Sequence, residues 1–537
     1  MKIKTRRVAP AVALWAALFS CLALAQPLRT PAEEAGYGRY SQHQEIGRFL
    51  GELDRNSKEL VVQAVGQTLE MKDFGAAKLH LCILTREGVD RPGALKRSRP
   101  TVFIFASQHG NEQSGKEAAL ALIRDLAGGD LHPLLDSLNF LVIPQANPYG
   151  NFVDRRPNEQ NLDLNRDHVK LEAPETRIIH KVFREWMPEV TLDVHEKGDD
   201  YYRVSTGCVS NLNIHSSLQE FSRGTLFPLV RRRVEADGFT WHEYLVTDSP
   251  GSGRSSGAAS RVGTGRSGDV IVRFSTPDLN DGRNGPGIYE TLSFIQEGAS
   301  RHDLATLEAR TRWQYSGIRG LLEAVKGNAS RVNSLVRKRR QELIRTARKS
   351  GGGNVVHLRM EYARDPKNPE LLLKRFERGA GVEQKVVDQV VSNWLPVVES
   401  RLSVPRSPGY LVPASLKTVI KTLQDHGIRM TALADDMLID ADVYKLKEIA
   451  PAAEDYLPPE RLVVERRRAR HAAKAGDYYV PGDQPAANLI PALLEPESEF
   501  GLIRYRACGL VGAPGADYAV VRTAKALRPT ALPSNRP

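Results

Sequence analysis

The chain reads as an α/β protein: a central sheet with helices on both faces, followed by a C-terminal α+β region. Three observations predict this. Short β-branched and apolar runs alternate with segments of helical period between Leu60 and Gln296. Gly, Pro and polar clusters punctuate that alternation. The 537 residues also exceed the roughly 250–300 at which a single core stops growing, so two units are expected. A hydrophobic content of 41% excludes a disordered chain.

Taken in order, Ile46, Phe49, Leu50 and Leu53 recur at helical spacing between Tyr40 and Asp54. Leu60–Val65 and Ala77–Leu84 read as strands on either side of a turn-like stretch, Gly66–Gly75. Thr101–Phe105 reads as a buried strand, Glu112–Leu126 as a helix, and Leu138–Pro144 as a strand. Pro174–Trp186 comes next as a helix, and Val190–Val194 as a strand ending at His195. Such alternation builds an α/β sheet, in which ligands collect at the carboxyl ends of strands. His109 and His195 both fall at such ends.

Between Asp248 and Gly287 the chain is rich in Gly, Ser and Arg. Gly251-Ser252-Gly253 and Gly263-Thr264-Gly265 lack the Gly-Lys-Ser/Thr of a phosphate loop, so a surface loop is expected. Its place before the apolar run Ile288–Gln296 suits a flap. Helical pattern dominates Arg301–Lys349, and Gly351-Gly352-Gly353 marks a linker. The expected organisation is a catalytic domain over 26–325, a helical linker over 326–353 and an accessory domain over 354–537. In the last, Val355–Tyr362, Leu416–His426 and Tyr478–Val480 read as short strands and helices. The basic clusters Arg337–Arg340 and Arg466–Arg470 read as solvated helix faces, and no nucleic-acid partner is expected.

Lys2, Lys4, Arg6 and Arg7 precede 18 uncharged residues, Val8 to Ala25, and Ala23-Leu24-Ala25 offers the small residues a signal peptidase reads. Residues 1–25 are therefore expected to be a signal peptide cleaved after Ala25, giving a secreted or periplasmic protein without stable membrane insertion. An uncleaved anchor is the alternative, since about 20 residues suffice to span a membrane. Loss of those four cations takes the net charge from +11 to +7 (11 − 4), a balance suited to an anionic envelope or acidic substrates. Cys82, Cys208 and Cys508 then remain, in no zinc-cluster spacing, and read as small buried residues. Nothing in the sequence specifies an oligomeric state.

The chemistry lies in His109-Gly110-Asn111-Glu112. Two imidazoles, a carboxylate and one open position form a ligand set typical of catalytic zinc, and His195 supplies the second imidazole. A His-x-x-Glu pair alone is a weak signal, because a surface pair looks the same. An ordered series of residues downstream gives it weight: Asn147-Pro148-Tyr149-Gly150, then Arg156 seven residues before Asp163-Leu164-Asn165-Arg166, then His195, then Glu297 after Leu292-Ser293-Phe294-Ile295-Gln296.

This series resembles the M14 family of zinc carboxypeptidases, in its bacterial branch with His-Gly-Asn-Glu-x-x-Gly, here His109 to Gly115. The resemblance covers roughly residues 36–325 and implies a mixed central sheet. It implies one Zn2+ held by His109, Glu112 and His195, and hydrolysis of a C-terminal amide bond by a zinc-activated water. Glu297 would be the general base and Arg156 would stabilise the oxyanion. Asn165 and Arg166 would bind the free C-terminal carboxylate of a peptide substrate, cell-wall peptides included. Asp193, two residues before His195, is placed to orient an imidazole. Digestive members carry Arg where this chain has Asn111, and Tyr289 is not at the spacing of their mobile Tyr. The upstream turn Gly66 to Glu70 also fits, although Met71-Lys72 stands where Gly-Arg is usual. The alternatives are a zinc amidohydrolase acting on N-acyl amino acids or peptidoglycan stem peptides, and a non-catalytic envelope binding protein on the same fold.

Overall fold

A computed structural model describes residues 28–198, 201–248, 271–348, 354–377, 385–450, 452 and 455–528. The expected signal segment 1–25 with its cleavage site, the two Gly-x-Gly repeats between 251 and 265 and the expected linker Gly351–Gly353 lie outside these residues.

Among the described residues, ten strands build the N-terminal part: β1 (Leu60–Gln67), β2 (Lys78–Leu84), β3 (Thr101–Ala106), β4 (Asn139–Ile143), β5 (Val190–Gly198), β6 (Val204–Cys208), β7 (Trp241–Glu243), β8 (Leu245–Asp248), β9 (Ile271–Phe274) and β10 (Leu292–Ser300). Eight of them form one mixed sheet in the order β1-β2-β4-β3-β5-β10-β6-β7. Strands β4, β3, β5 and β10 run parallel, with antiparallel pairing at β1–β2, β2–β4 and β10–β6. The central strands are buried along their whole length, as near-continuous apolar runs should be when both faces are covered. The covering helices include Ser114–Gly128, Pro174–Trp186 and Leu307–Gly327.

From β3 the chain crosses to β4 on one side, and β5 pairs on the other. That reversal of strand order opens a crevice at the carboxyl end of β3, where the His109 loop begins. The structure extends two expected strands. Val190–Val194 runs on to Gly198, and the late apolar run to Ser300, so His195 and Glu297 lie inside strands. Pairing explains this, since β5 and β10 bond to each other in parallel through Ser300↔Gly198.

Part of the expected 248–287 loop is regular. β9 pairs with β8 and with the short strand Trp394–Leu395 from beyond the linker. The C-terminal part contains a six-stranded sheet that includes Gly409–Val412, Tyr478–Pro481 and the long hairpin Met437–Ala450 and Arg461–Ala473. Its helix Lys417–Asp425 packs beside Pro174–Trp186. One contiguous apolar core includes Phe103, Leu192 and Phe294 together with Tyr410, Val480 and Leu493.

Of the basic clusters, Arg337–Arg340 lies on a helix with Arg337 and Lys338 exposed, as expected, whereas the other is not helical. Arg466–Arg470 lies on the edge strand Arg461–Ala473, where Arg468 and Arg470 face Asp442 and Asp440 at 3.3 and 3.7 Å. Charged side chains on an edge strand deter further pairing. Arg340, on the helix Ala329–Ala347, donates to the carbonyls of Met187 and Pro188 and to Thr291 Oγ1 at 3.0, 2.7 and 2.7 Å. Cys82, Cys208 and Cys508 are buried and unpaired. Among the described residues no helix is long and apolar enough to cross a membrane.

Candidate active site

The His109 loop is shaped by its neighbours. Ser107 leaves β3 with φ 60°, and Asn147 bridges two turns by donating to Gln108 O at 3.1 Å and accepting from Gly150 N at 2.8 Å. Asn151 donates to Gly110 O at 2.7 Å, and Gly110 N donates to Arg156 O at 3.1 Å. A Cβ on Gly110 would sit 2.0 Å from the carbonyl carbon of Gly150, so only glycine fits. The segment Asn147-Pro148-Tyr149-Gly150 is thus the buttress of the His109 loop.

His109, Glu112 and His195 come together in that crevice, all nearly buried, with one ligand atom from each within 4.8 Å of the others. Glu112 Oε1 lies 2.8 Å from His109 Nδ1, Glu112 Oε2 lies 2.8 Å from His195 Nδ1, and the two Nδ1 atoms are 3.0 Å apart. The opposite ring nitrogens face carboxylates, His109 Nε2 to Asp163 at 3.0 Å and His195 Nε2 to Asp193 at 2.8 Å. Those carboxylates assign the Nε2–H tautomer to both rings and turn both Nδ1 lone pairs inward. Two lone pairs and a carboxylate aimed at one another need a positive charge between them.

The electrostatics of the site point the same way. Against the desolvation that would lower it, Asp193 and Glu112 hold His195 well above the usual imidazole range. Glu112 and Asp163 are held well below the carboxylate range although burial opposes this, through His109 and His195 for the first and through His109 and Arg156 for the second. A donor set this electron-rich fits a divalent metal ion with nitrogen and oxygen ligands.

Glu297 stands beside His195, the two being in register on β10 and β5. Burial pushes its carboxyl up to about 7, with Glu112 adding to the rise and His195 and a hydrogen bond from Tyr244 opposing it. A cation at the donor set would pull it back down. Arg156 donates through Nε to Asp163 at 2.9 Å and brings Nη1 to 3.5 Å from Glu112. Asn165 is buried, its Oδ1 accepting from Gly282 N at 2.7 Å and its Nδ2 lying 3.3 Å from His195 Nε2. Arg166 comes next, at the end of the short turn capped by Asp163, with Nη1 donating to Asn165 O at 2.6 Å.

A cleft of about 790 Å³ is lined by His109, Glu112, Arg156, Asn165, Arg166, His195 and Glu297 together. The seven residues expected to bind metal or substrate or to carry catalysis therefore line one cleft. The same cleft is lined by residues that no motif flagged. Tyr244, between β7 and β8, bonds Glu297, while Glu196 is buried against Arg310 at 2.5 Å. From the C-terminal part come Asp455, Tyr456, Leu457 and Tyr505. Tyr289 is buried elsewhere, its hydroxyl donating to His426 O at 3.2 Å.

A buried metal-donor set with a carboxyl group beside it has the parts of a metal-dependent hydrolase, and the comparisons give the class as metallocarboxypeptidase. The model of the zinc carboxypeptidase family, peptidase M14, matches residues 46–197, a span holding His109, Glu112 and His195. This match and the carboxypeptidase relatives that follow support membership of the M14 zinc carboxypeptidase family. It is 24% identical to Carboxypeptidase 2 of Trichophyton tonsurans over 446 residues, covering 78% of this chain and 76% of that one. Against Carboxypeptidase 2 of Trichophyton rubrum it is 24% identical over 429 residues, covering 75% and 74%. A metallo-carboxypeptidase from Burkholderia cenocepacia superposes with a TM-score of 0.40 at 17% identity, over 55% of this chain and 71% of that one.

Proposed function

We propose that this chain is an exported zinc carboxypeptidase that removes one residue from the free C-terminus of a peptide. The observation that carries the reading is the convergence of His109, Glu112 and His195 with Glu297 and Arg166 in one cleft. One zinc ion held by the three donors would supply a Lewis acid that polarises the scissile carbonyl and acidifies water. Glu297, next to His195 and partly desolvated, takes the proton of the attacking water and returns it to the leaving amine. Arg156, already turned toward Glu112, stabilises negative charge developing on the carbonyl oxygen. Arg166 holds the substrate carboxylate through its planar guanidinium. Asn165 has its carbonyl committed to Gly282 N, so only its amide nitrogen is left to assist. Export is supported by the basic and then apolar composition of residues 1–25.

The test pairs peptides with free and amidated C-termini, cell-wall stem peptides among them, and reads products by mass spectrometry. Loss of a single C-terminal residue from the free form only is expected, abolished by a chelator and restored by one equivalent of zinc. Cleavage that ignores amidation or the chelator would sink the proposal. The exported protein should begin at Gln26, as its intact mass will tell.

A further inference from the structure

A chain of buried polar side chains leads away from the metal-donor set. Asp193 Oδ2 accepts from His195 Nε2 at 2.8 Å and from Gln108 Nε2 at 2.8 Å. Gln108 Oε1 meets His168 Nε2 at 2.8 Å, and His168 Nδ1 meets His180 Nε2 at 3.0 Å. All five side chains are essentially inaccessible to solvent.

The direction of every hydrogen bond in this chain is forced. Asp193 can only accept, so Gln108 must turn its amide nitrogen to it and its carbonyl oxygen to His168. His168 therefore carries its proton on Nε2 and accepts at Nδ1, which puts the proton of His180 on Nε2. Burial, which depresses His168 to about 4 and His180 well below the imidazole range, agrees with two neutral rings. The backbone of Gly282 approaches the Asp193–Gln108 pair closely. A Cβ on Gly282 would lie 2.3 Å from Asp193 Oδ2 and 2.7 Å from Gln108 Nε2. At the far end the ring of His426 abuts His180 edge-on at 5.3 Å, held by a bond from its Nε2 to Val169 O at 2.8 Å.

From this we infer that Gln108 and His168 are positioning residues for the metal ligand His195, acting through Asp193. Asp193 Oδ1 has no hydrogen-bond partner, so the carboxylate is oriented by Oδ2 alone. Without the Gln108 donor, a single bond would hold a fully buried carboxylate, which would then be free to rotate. A rotated Asp193 no longer accepts from His195 Nε2, and the ring loses the contact that keeps its proton there and its Nδ1 lone pair on the metal side. His168 locks the Gln108 amide in the orientation that prevents this. The inference rests on the zinc-site reading of the cleft and assigns to Gln108 and His168 a role in metal affinity, not in contact with substrate.

The test uses the whole mature protein and reads zinc affinity by competition with a chromophoric chelator, beside thermal melting and the visible spectrum of the cobalt-substituted form. Gln108→Met and His168→Phe should weaken zinc by about 10- to 100-fold and alter the cobalt spectrum, the usual cost of losing a partner behind a metal-bound imidazole. His168→Gln keeps a donor toward Gln108 Oε1 and should recover most of the affinity. Tyr410→Phe removes a buried hydrogen bond to Glu495 far from the site, so it should lower the melting temperature and leave zinc affinity alone. Unchanged zinc affinity in Gln108→Met overturns the inference even if His168→Phe does not fold. Wild-type protein that binds no zinc overturns the site reading along with it, whereas zinc-binding wild type with unaffected variants overturns this inference alone.

Discussion

Glu297 owes its position to strand register. Parallel pairing sets it beside His195, and the strand that carries it is buried from end to end. Glu297→Gln keeps the shape and removes the base. Turnover should fall by about 10²- to 10⁴-fold or more while zinc stays bound, checked by steady-state rates and metal analysis on the same sample. Full activity in that variant would exclude Glu297 as the proton carrier. Arg166→Ala should raise KM for peptides with a free carboxylate and leave any residual cleavage of amidated peptides unchanged; equal losses on both would show that Arg166 is structural. At this scale the ligands and the two arginines were legible because each is a chemically distinctive residue at motif spacing. Gln108, His168 and Tyr244 were not, because their roles depend on contacts with residues far along the chain, such as Gln108 with Asp193 and His168 with Gln108.

Among the elements, the loop after β3 is the one on which the site depends. Its geometry is imposed by Asn147 and Asn151 from the neighbouring loop and by the close approach of Gly110 to Gly150. Gly110→Ala would force two backbones apart, and overpacking of this kind costs about 1–3 kcal/mol. The expected result is a lower unfolding free energy in urea together with weaker zinc binding; a variant with wild-type zinc affinity would show that the loop tolerates displacement. Element types came from periodicity, so the strands at Thr101 and Leu138 and the helix at Pro174 stand where the pattern put them. Strand ends did not. His195 and Glu297 are polar residues that end an apolar run, and only the pairing of β5 with β10 carries the strands past them. The Arg466–Arg470 run has no period that separates a helix face from an edge strand, and the partner Met437–Ala450 settles it.

At the scale of the whole molecule, the C-terminal part is built into the cleft. Arg504 makes a two-pronged pair with Asp278, both bonds at 2.9 Å, just behind Thr276 and Asp281 of the cleft lining. Lys170 and Asp455, both in the cleft lining, pair at 3.2 Å. Because Arg504 is buried, Arg504→Ala strands Asp278 and should cost about 3–5 kcal/mol in chemical denaturation. A loss under about 1 kcal/mol, the scale of an exposed pair, would show the contact to be incidental. Tyr456 lines the cleft and is 40% exposed, so Tyr456→Ala should raise KM with kcat kept. Unchanged kinetics on every peptide tested would remove this wall from substrate binding.

The sequence by itself determined the α/β class, the order of the main elements and the metal-donor set with its neighbouring Glu and Arg residues. Those features are written in local periodicity and in short motifs whose chemistry admits few substitutes. The tertiary structure alone decided which nitrogen of each imidazole turns toward Glu112, which carboxylates sit behind the rings, and that Asp455, Tyr456, Leu457 and Tyr505 wall the cleft. The reason is physical: tautomers, buried hydrogen-bond direction and cavity walls are set by partners brought together through folding, and separation along the chain carries no trace of them.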